Sequence, residues 1–218
     1  MNEKKVAIIT GASRGIGASI SNQLAMLNYD LILVARNEKE LMKVKTDCEK
    51  NGSVIKIFPC DLSDSESLES VVDYIAEKIS RVDILINNAG IGIFGPIENL
   101  EMEDWDRVID LNLKAPFFLI RAVVPIMKRQ CGGQIINISS DSDNMGFSEA
   151  SIYCASKAGL LRLSEALSLE LRKSNIKIST ISPGRVDTYF NSKKPGDRKG
   201  ALDPDDIAKL VVNIIGFC

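Results

Sequence analysis

The chain contains no histidine among its 218 residues. This absence excludes a Ser-His-Asp triad, a Cys-His pair and every zinc site that uses histidine, so we expect no metal centre. Proton transfer near neutral pH must then use a tyrosine, lysine, cysteine or carboxylate whose pKa has been shifted by its surroundings.

Cysteines are few, odd in number and never spaced as Cys-x-x-Cys. They are Cys48, Cys60, Cys131, Cys154 and Cys218. This pattern indicates free thiols in a reducing compartment, not a disulfide framework or a structural zinc site. The apolar stretch over residues 6–9 is too short for the hydrophobic region of a signal peptide, so we expect a cytoplasmic protein.

Long apolar runs and a strong net charge are also missing. The longest apolar stretch, 115–127, contains Arg121 and two prolines, which argues against a membrane span. A net charge of −2 provides no basic surface for nucleic acid or for an anionic membrane. We therefore expect a small-molecule substrate and neither nucleic acid nor membrane as partners.

Short β-branched segments alternate with longer helical patterns along the whole chain. Candidate strands cover 5–10, 30–35, 54–59, 82–86, 133–138 and 176–181, and candidate helices cover 15–28, 37–50, 64–79, 103–129, 152–174 and 204–216. This alternation predicts an α/β fold in one domain over 1–218, a Rossmann-like doubly wound parallel sheet with helices on both faces. Ser63 with Glu66 predicts a capping box for the third helix, and Asp203-Pro204 predicts the start of the last.

Helices 103–129 and 152–174 carry apolar residues around more than one stripe. A helix of this kind must be buried on several sides. We expect a homodimer or homotetramer that packs through these two helices. The alternative is that flanking loops cover the second side.

A glycine-rich segment, Thr10-Gly11-Ala12-Ser13-Arg14-Gly15-Ile16-Gly17, follows the first candidate strand and leads into a helix. Its glycines allow a sharp turn close to a pyrophosphate, and the helix N-terminus offers free N–H groups and a positive dipole end. The spacing is Gly-x-x-x-Gly-x-Gly and differs from the Gly-x-Gly-x-x-Gly of the standard dinucleotide motif. We predict a dinucleotide site here, the alternative being a tight turn without a ligand.

The end of the second strand indicates which dinucleotide binds. The chain has Ala35-Arg36-Asn37 there, with no acid before Glu38. An acid would bind the ribose 2′-hydroxyl of NAD, whereas an arginine accepts the 2′-phosphate of NADP. Because Arg14 adds a second guanidinium, we predict that NADP(H) is favoured over NAD(H). The alternative is that both arginines are solvated surface residues.

Tyr153 and Lys157 lie four residues apart in a helical segment, and Ser140 precedes Tyr153 by thirteen residues. Residues at i and i+4 share a helix face. A nearby ammonium favours the phenolate, so we expect Lys157 to lower the pKa of Tyr153 toward the range useful for acid–base catalysis. Ser140 offers a hydroxyl for a carbonyl oxygen. The alternative is an exposed helix face with an extended lysine.

Taken together, these motifs resemble the short-chain dehydrogenase/reductase family over nearly the whole chain. The resemblance extends to Cys60-Asp61-Leu62, Asn87-Asn88-Ala89-Gly90, Asp110-Leu111-Asn112-Leu113, and Pro183-Gly184 with Thr188. It implies a catalytic set of Asn112, Ser140, Tyr153 and Lys157. It implies that the cofactor is bound by Gly11, Ser13, Arg14, Gly15, Ile16, Gly17, Arg36, Asp61, Leu62, Asn88, Ala89, Gly90, Tyr153, Lys157, Pro183, Gly184 and Thr188.

The resemblance implies an oxidoreductase that transfers a hydride between NADP(H) and a carbonyl or secondary alcohol. Tyr153 would exchange the proton, Lys157 would assist it and bind the nicotinamide ribose, and Ser140 would hold the substrate oxygen. Asn112 would kink its helix and hold a water. Asp61 would bind the adenine amino group, and the 183–188 segment would meet the nicotinamide carboxamide.

The chain also departs from the family pattern. The segment 183–203 is a short substrate loop, which predicts an open site for a small or loosely enclosed substrate. The chain reaches residue 218 just after the last helix, where relatives usually continue into a seventh strand, so we expect six strands. Asp141 and Asp143 follow Ser140, where relatives carry small apolar residues, and two carboxylates there would disfavour an anionic group near the substrate oxygen. The alternative is a solvated loop.

The substrate itself stays open between a 3-oxoacyl-type ketone, a hydroxy acid and a broad range of ketones or diketones. Two further alternatives are a non-catalytic NADP(H)-binding relative with a regulatory role and an isomerase or epimerase of the same fold.

Overall fold

The computed structural model describes residues 4–190 and 193–216, and within them six strands form one parallel sheet. The strands are β1 (Val6–Thr10), β2 (Asp30–Ala35), β3 (Ile55–Pro59), β4 (Ile84–Asn87), β5 (Gly133–Ile138) and β6 (Ile176–Ile181). Their order across the sheet is β3-β2-β1-β4-β5-β6. The order reverses between β1 and β4, the place where doubly wound sheets bind ligands at the carboxyl ends of their strands.

Helices cover both faces of this sheet, so the predicted Rossmann-like α/β fold is confirmed. The described helices are α1 (Gly15–Met26), α2 (Glu38–Glu49), α3 (Ser65–Lys78), α4 (Met102–Ile109), α5 (Ala115–Arg129), α6 (Ser151–Leu171) and α7 (Pro204–Gly216). Successive side chains of a strand point to opposite faces. Ile9 of β1 accordingly packs in the core with Leu24 of α1, whereas Ile8 packs in the other core with Leu119 of α5.

The predicted helix 103–129 is not regular, because a π-helical turn over Asp110–Lys114 separates α4 from α5. This turn carries Asn112, whose side chain bonds outside its own helix. Its amide oxygen accepts from the Ile91 N–H at 2.9 Å, and its amide nitrogen donates to the Ile91 carbonyl and the Ser156 hydroxyl at 2.8 and 3.0 Å. Irregular turns of this type occur at functional sites and distort the helix, as the family resemblance implied for Asn112.

The predicted capping box of the third helix was wrong. The N-cap of α3 is Asp64, whose carboxylate accepts from the Ser67 N–H at 2.9 Å. Ser63 is bound instead to Asp61, whose Oδ1 accepts from the Ser63 hydroxyl at 2.7 Å. The start of the last helix is as predicted: α7 begins at Pro204, and the preceding Asp203 accepts from the Asp205 N–H at 2.8 Å.

Helices α4, α5 and α6 expose large apolar side chains at the surface. Trp105 is 50% exposed, Phe117 43% and Leu169 77%. Flanking loops of the described chain therefore do not cover these positions, and assembly through the helices stays a prediction. In the described residues, no helix combines the length and apolarity required to span a membrane.

The described cysteines are free thiols, as predicted. They are Cys48, Cys60, Cys131 and Cys154, and Cys218 lies outside the described residues. Burial raises the pKa of the Cys48 and Cys60 thiols to about 11, with neighbouring carboxylates acting in the same direction. These two thiols are therefore protonated and poor nucleophiles at neutral pH.

Candidate active site

The glycine loop between β1 and α1 is held tightly against the end of β4. Gly11 has φ +63°, and a Cβ there would lie 2.8 Å from the Asn88 amide nitrogen. A Cβ at Gly17 would lie 2.2 Å from the Gly11 carbonyl oxygen. Side chains are thus excluded at both positions, and the backbone itself forms the surface of the loop.

Asn88 and Thr10 join the glycine loop to the end of β4. The Thr10 hydroxyl oxygen accepts from the backbone N–H groups of Asn88 and Ala89, both at 3.0 Å. The Asn88 side chain donates back to the carbonyls of Thr10 and Gly11 at 2.9 and 3.2 Å. The sequence motifs did not assign Thr10 a role, although its hydroxyl at the carboxyl end of β1 was a signal for one.

The N-terminus of α1 is suited to an anion. Its N-cap, Arg14, has extended backbone at φ −164° and makes no side-chain capping bond, and the first turn of α1 contains no acid. The first N–H groups of the helix are therefore left without a side-chain acceptor, and the dipole favours negative charge. Together with the side-chain-free surface at Gly11, this geometry fits a diphosphate.

A cleft of about 340 Å³ runs from the glycine loop across the ends of β2 and β3; we call it the glycine-loop cleft. Twelve of the predicted cofactor residues line it: Gly11, Ser13, Arg14, Gly15, Ile16, Arg36, Asp61, Leu62, Asn88, Ala89, Gly90 and Thr188. Gly17 is not among its lining residues and packs behind the loop, which brings α1 close to β1. The cleft is also lined by Asn37 and Tyr189, which the sequence motifs did not mark.

Both predicted arginines border the glycine-loop cleft, and each contacts a neighbour. Arg36 lies 3.6 Å from Asp61, and Arg14 places its guanidinium carbon 4.9 Å from the centre of the Tyr189 ring. Burial pushes the pKa of Asp61 upward, but bonds from Ser63 and the Arg36 charge outweigh it, so its net pKa is lowered. The ionised Asp61 and the Arg36 guanidinium thus meet where β2 and β3 end, whereas Arg14 lies against Tyr189.

A second cleft, of about 840 Å³, contains the predicted catalytic serine, tyrosine and lysine; we call it the tyrosine cleft. It is also lined by the predicted Pro183 and Gly184. The two clefts share a border formed by Ile16, Asn88, Gly90, Thr188 and Phe190. Asn112 lines neither cleft; it is fully buried behind Gly90.

Tyr153 and Lys157 are both nearly buried on the same face of α6, 8% and 4% exposed, so an exposed helix face is ruled out. Lys157 Nζ donates to the Ile138 carbonyl at 3.0 Å and lies 5.8 Å from the centre of the Tyr153 ring. Ser140 follows β5 and caps a short 3-10 turn over Asp141–Asp143. The ends of β5 and α6 therefore bring the three side chains to one wall.

The expected lowering of the Tyr153 pKa is wrong for this structure. Burial raises the pKa of the phenol, a hydrogen bond with Ser140 lowers it in part, and the charges of Asp141 and Asp143 raise it further. Burial also lowers the pKa of Lys157 to about 8, against an opposing effect of Asp143. Desolvation is the largest cause of both shifts because both groups lie away from water.

Asp141 and Asp143 are not the solvated loop that the alternative interpretation described. Asp143 is 7% exposed, and its carboxylate accepts from the Ser182 hydroxyl at 2.5 Å and from the Asn144 amide at 2.6 Å. Asp141 accepts from the Ser140 hydroxyl at 2.9 Å. Both carboxylates are thus held by hydrogen bonds. The Ser140 hydroxyl has one proton to donate and lies within hydrogen-bond distance of both Asp141 and the Ser142 hydroxyl, at 2.9 and 3.2 Å.

Two phenylalanines distant in sequence pack against the Tyr153 ring. The ring centres of Phe94 and Phe190 each lie 5.6 Å from that of Tyr153 and 6.4 Å from one another. These contacts were not predicted from the sequence. The position of Phe94, four residues after Gly90, was the one sequence feature that could have indicated a place near the site. No neighbouring motif indicates such a place for Phe190.

Comparison with known proteins gives the same family as the motifs. A family model for short chain dehydrogenase matches residues 5–199. The chain is 36% identical over 211 residues to an uncharacterised oxidoreductase of Staphylococcus saprophyticus, covering 96% of this chain and 90% of the relative. It is 35% identical over 217 residues to sepiapterin reductase of Chlorobaculum tepidum, covering 96% and 89%.

Solved structures with nucleotide bound are also similar to this chain. A metagenomic short-chain oxidoreductase in complex with NADP has a TM-score of 0.85 and 37% identity, covering 96% of this chain and 90% of the other. An alcohol dehydrogenase of the archaeon Thermococcus sibiricus, complexed with 5-hydroxy-NADP, has a TM-score of 0.91 and 33% identity, covering 98% and 91%. With its reversed strand order, glycine loop and Ser–Tyr–Lys wall, the chain belongs to the short-chain dehydrogenase family of oxidoreductases.

Proposed function

We propose that this protein is an NADP(H)-dependent carbonyl reductase or alcohol dehydrogenase in which Tyr153 exchanges the substrate proton. One observation supports it above the others: Ser140, Tyr153 and Lys157 share a wall of a cleft that borders the glycine loop. Hydride donor and proton donor must reach the two ends of the same C=O bond, and two adjoining clefts provide that geometry.

NADP(H) fits the glycine-loop cleft. The uncapped N-terminus of α1 would hold the diphosphate, and Arg36 with Arg14 would hold the 2′-phosphate. Asp61 and Leu62 would border the adenine, and Thr188 would border the nicotinamide end. When bound, the cofactor supplies or accepts the hydride. The nucleotide-bound relatives, which carry NADP or 5-hydroxy-NADP, support the same preference here.

The proton steps follow from the environments of the side chains. Burial raises the pKa of Tyr153, so the phenol is protonated at neutral pH and ready to donate to a carbonyl oxygen. The Lys157 ammonium would then offset the negative charge left on the phenolate. Ser140 would donate to the same carbonyl oxygen after turning its hydroxyl away from Asp141.

Asn112 would act through its neighbours rather than by touching the substrate. Its bonds to Ile91 and Ser156 hold the segment after β4 against α6, the helix that carries Tyr153 and Lys157. We propose that this bridge sets the distance between the two clefts.

We further propose that residues 1–218 act as one catalytic domain in the cytoplasm, assembled as a homodimer or homotetramer through α4, α5 and α6. The exposed Trp105, Phe117 and Leu169 support this assembly, because a second copy would remove their apolar surface from water. Sedimentation of the native protein measures it, and a monomer at micromolar concentration would contradict the proposal.

The test of the chemistry is NADPH oxidation against a panel of aldehydes, ketones, diketones and 3-oxoacyl thioesters. Tyr153→Phe should lower kcat by about 10²–10⁴-fold, the usual contribution of general acid–base catalysis, and retain NADPH binding. Tyr74→Phe, a ring that packs against Phe58 away from both clefts, is the matched control. A Tyr153→Phe enzyme with wild-type kcat would refute the assignment.

Two other outcomes would favour the alternatives. NADPH binding without turnover of any carbonyl would indicate a non-catalytic relative. Interconversion of substrate isomers without net NADPH oxidation would indicate an isomerase or epimerase.

The cofactor preference has a separate test. Replacing Arg36 with alanine removes a charged partner of the 2′-phosphate, so Kd for NADPH should rise about tenfold or more while Kd for NADH changes little. Lys39 is an exposed lysine at the start of α2, three residues after Arg36. Lys39→Ala is therefore the control for loss of one positive charge. Tighter binding of NADH than of NADPH by the wild-type protein would contradict the proposal.

A further inference from the structure

Acidic and basic side chains of the tyrosine cleft come from different segments of the chain. After β5, Asp141 lies next to Ser140 and Tyr153. The loop that follows β6 borders the cleft with four cationic side chains and one acid, Arg185, Lys193, Arg198, Lys199 and Asp197. The segment after β5 therefore places an acid beside Ser140, and the described part of the loop after β6 borders the cleft with a net positive charge.

Three of these cationic side chains form no ion pair or hydrogen bond within the described residues. Arg198 donates to the carbonyls of Val186 and Phe190 and so supports the loop itself. Arg185, Lys193 and Lys199 are exposed and form no salt bridge or side-chain hydrogen bond with any residue that the structure describes. We call these three residues the basic rim.

The acids of the same loop are bonded to its backbone and form no ion pair with the basic rim in the part of the chain that the structure describes. Asp197 accepts from the backbone N–H of Lys194 at 2.8 Å, and Asp187 accepts from that of Gly196 at 2.6 Å. Their carboxylates thus stabilise the turn of the loop. The loop residues that line the cleft, four cations and Asp197, together still carry a net positive charge.

The basic rim belongs to the tyrosine cleft and not to the glycine-loop cleft. Its three residues line the tyrosine cleft alone, whereas Arg14 and Arg36 line only the glycine-loop cleft. The positive charges near the proposed cofactor phosphates are thus a separate set. An anion bound by the rim would be part of the substrate.

Aromatic side chains form another part of the wall of the tyrosine cleft. Phe94 and Phe190 flank the Tyr153 ring, and Phe147 lines the same cleft. Flat apolar surfaces of this type favour a planar substrate body through stacking and burial.

We infer that the substrate is a ketone or aldehyde with a planar apolar body and an anionic group that is separated from its carbonyl by that body. The remote anion would meet the basic rim while the carbonyl oxygen reaches Ser140 and Tyr153. A carboxylate directly attached to the carbonyl would be repelled by Asp141, so 2-oxo acids are disfavoured. This inference rests on the proposed carbonyl reductase function.

Four related probes separate the inference from the function on which it rests. Acetophenone is the neutral parent, 4-acetylbenzoate carries a remote anion, phenylglyoxylate carries an anion beside the carbonyl, and 4-acetyl-N,N,N-trimethylanilinium carries a remote cation. We expect kcat/KM for 4-acetylbenzoate to exceed that for acetophenone by about tenfold, since exposed charge pairs contribute a few-fold each. The other two charged probes should fall below acetophenone, and all three differences should shrink at high salt.

Variants of the loop after β6 test whether the basic rim causes the preference for 4-acetylbenzoate. The double variant Lys193→Gln/Lys199→Gln should reduce the preference for 4-acetylbenzoate over acetophenone by about fourfold or more, because two of the three rim charges are lost. Lys194→Gln removes a charge from the same loop at a position that does not line the cleft, and it should keep the wild-type preference.

The outcomes distinguish the two proposals. Reduction of acetophenone with no preference for 4-acetylbenzoate, or an unchanged preference in the double variant, overturns the inference and leaves the carbonyl reductase function standing. A raised KM for NADPH in the double variant with unchanged probe preference also overturns it, since the rim would then serve the cofactor. Failure of the wild-type protein to oxidise NADPH with any probe or with the broader carbonyl panel overturns both.

Discussion

Replacing Lys157 with methionine should change how the stability of the folded protein depends on pH. Lys157 is 4% exposed, and burial lowers its pKa from 10.5 to about 8. At 1.36 kcal/mol for each pH unit, this difference corresponds to roughly 3 kcal/mol of unfavourable desolvation in the folded state. A methionine of similar length has no charge to desolvate.

The sign of the pH dependence follows from the protons bound by each state. Below about pH 8 the folded and unfolded states both hold the Lys157 proton, so the folded state bears the full desolvation penalty. Between pH 8 and pH 10.5 the unfolded chain keeps the proton and the folded protein has released it, so the free energy of unfolding rises with pH. Above that range neither state is charged and the penalty is gone.

The assay is urea unfolding of wild-type protein and Lys157→Met at several pH values. The Lys157 penalty in the wild type should fall from roughly 3 kcal/mol at pH 7 to roughly 1 kcal/mol at pH 10. Loss of the bond to the Ile138 carbonyl adds a constant cost of about 1 kcal/mol to the variant, so the change with pH is the diagnostic quantity.

Lys209→Met, an exposed lysine on α7, controls for the removal of one lysine from the chain. A difference between wild type and Lys157→Met that stays constant from pH 7 to pH 10 would refute the reasoning. It would mean that the Lys157 ammonium is solvated or paired in the folded protein despite its burial.

Three further predictions follow from the site. A Cβ at Gly17 would lie 2.2 Å from a loop carbonyl oxygen, so Gly17→Ala should lower the free energy of unfolding by about 1–3 kcal/mol and weaken NADPH binding. Gly146→Ala, where a Cβ contacts nothing, is the control and should change neither quantity. Asn112→Ala leaves the N–H and carbonyl of Ile91 unpaired and should cost about 2–4 kcal/mol in urea unfolding; a loss under about 0.5 kcal/mol would contradict the bridge. Because the pKa of Tyr153 is raised, the rate of alcohol oxidation should still increase with pH at pH 10, and a plateau below pH 8 would contradict this.

The extent of the strands was predictable because a strand that is buried on both faces consists of a continuous run of apolar residues. Strands β2, β5 and β6 have the predicted bounds of 30–35, 133–138 and 176–181. Their runs of β-branched and aliphatic residues require no knowledge of distant partners. The N-cap of α3 was mispredicted because Ser63 and Asp64 are both good capping residues, and only the bond between Ser63 and Asp61 decides between them.

The residues of the candidate site were predictable where a single short motif contains the residues that must lie close together. The glycine loop and the Tyr153–Lys157 pair both depend on residues within a few positions of each other, and the structure places both at clefts. Phe94 and Phe190 could not be found in this way, because they meet Tyr153 from two separate loops.

By itself, the amino-acid sequence determined the α/β fold, the family and the residue types available for proton transfer, since alternating apolar segments, short motifs and the lack of histidine are all local properties. Only the tertiary structure decided how those groups behave. It buries Tyr153 and Lys157 so that desolvation raises the pKa of the phenol and lowers that of the ammonium, it places Asp143 out of water, and it brings the basic rim to the same cleft. Burial and long-range proximity set these effects, and both exist only once the chain has folded.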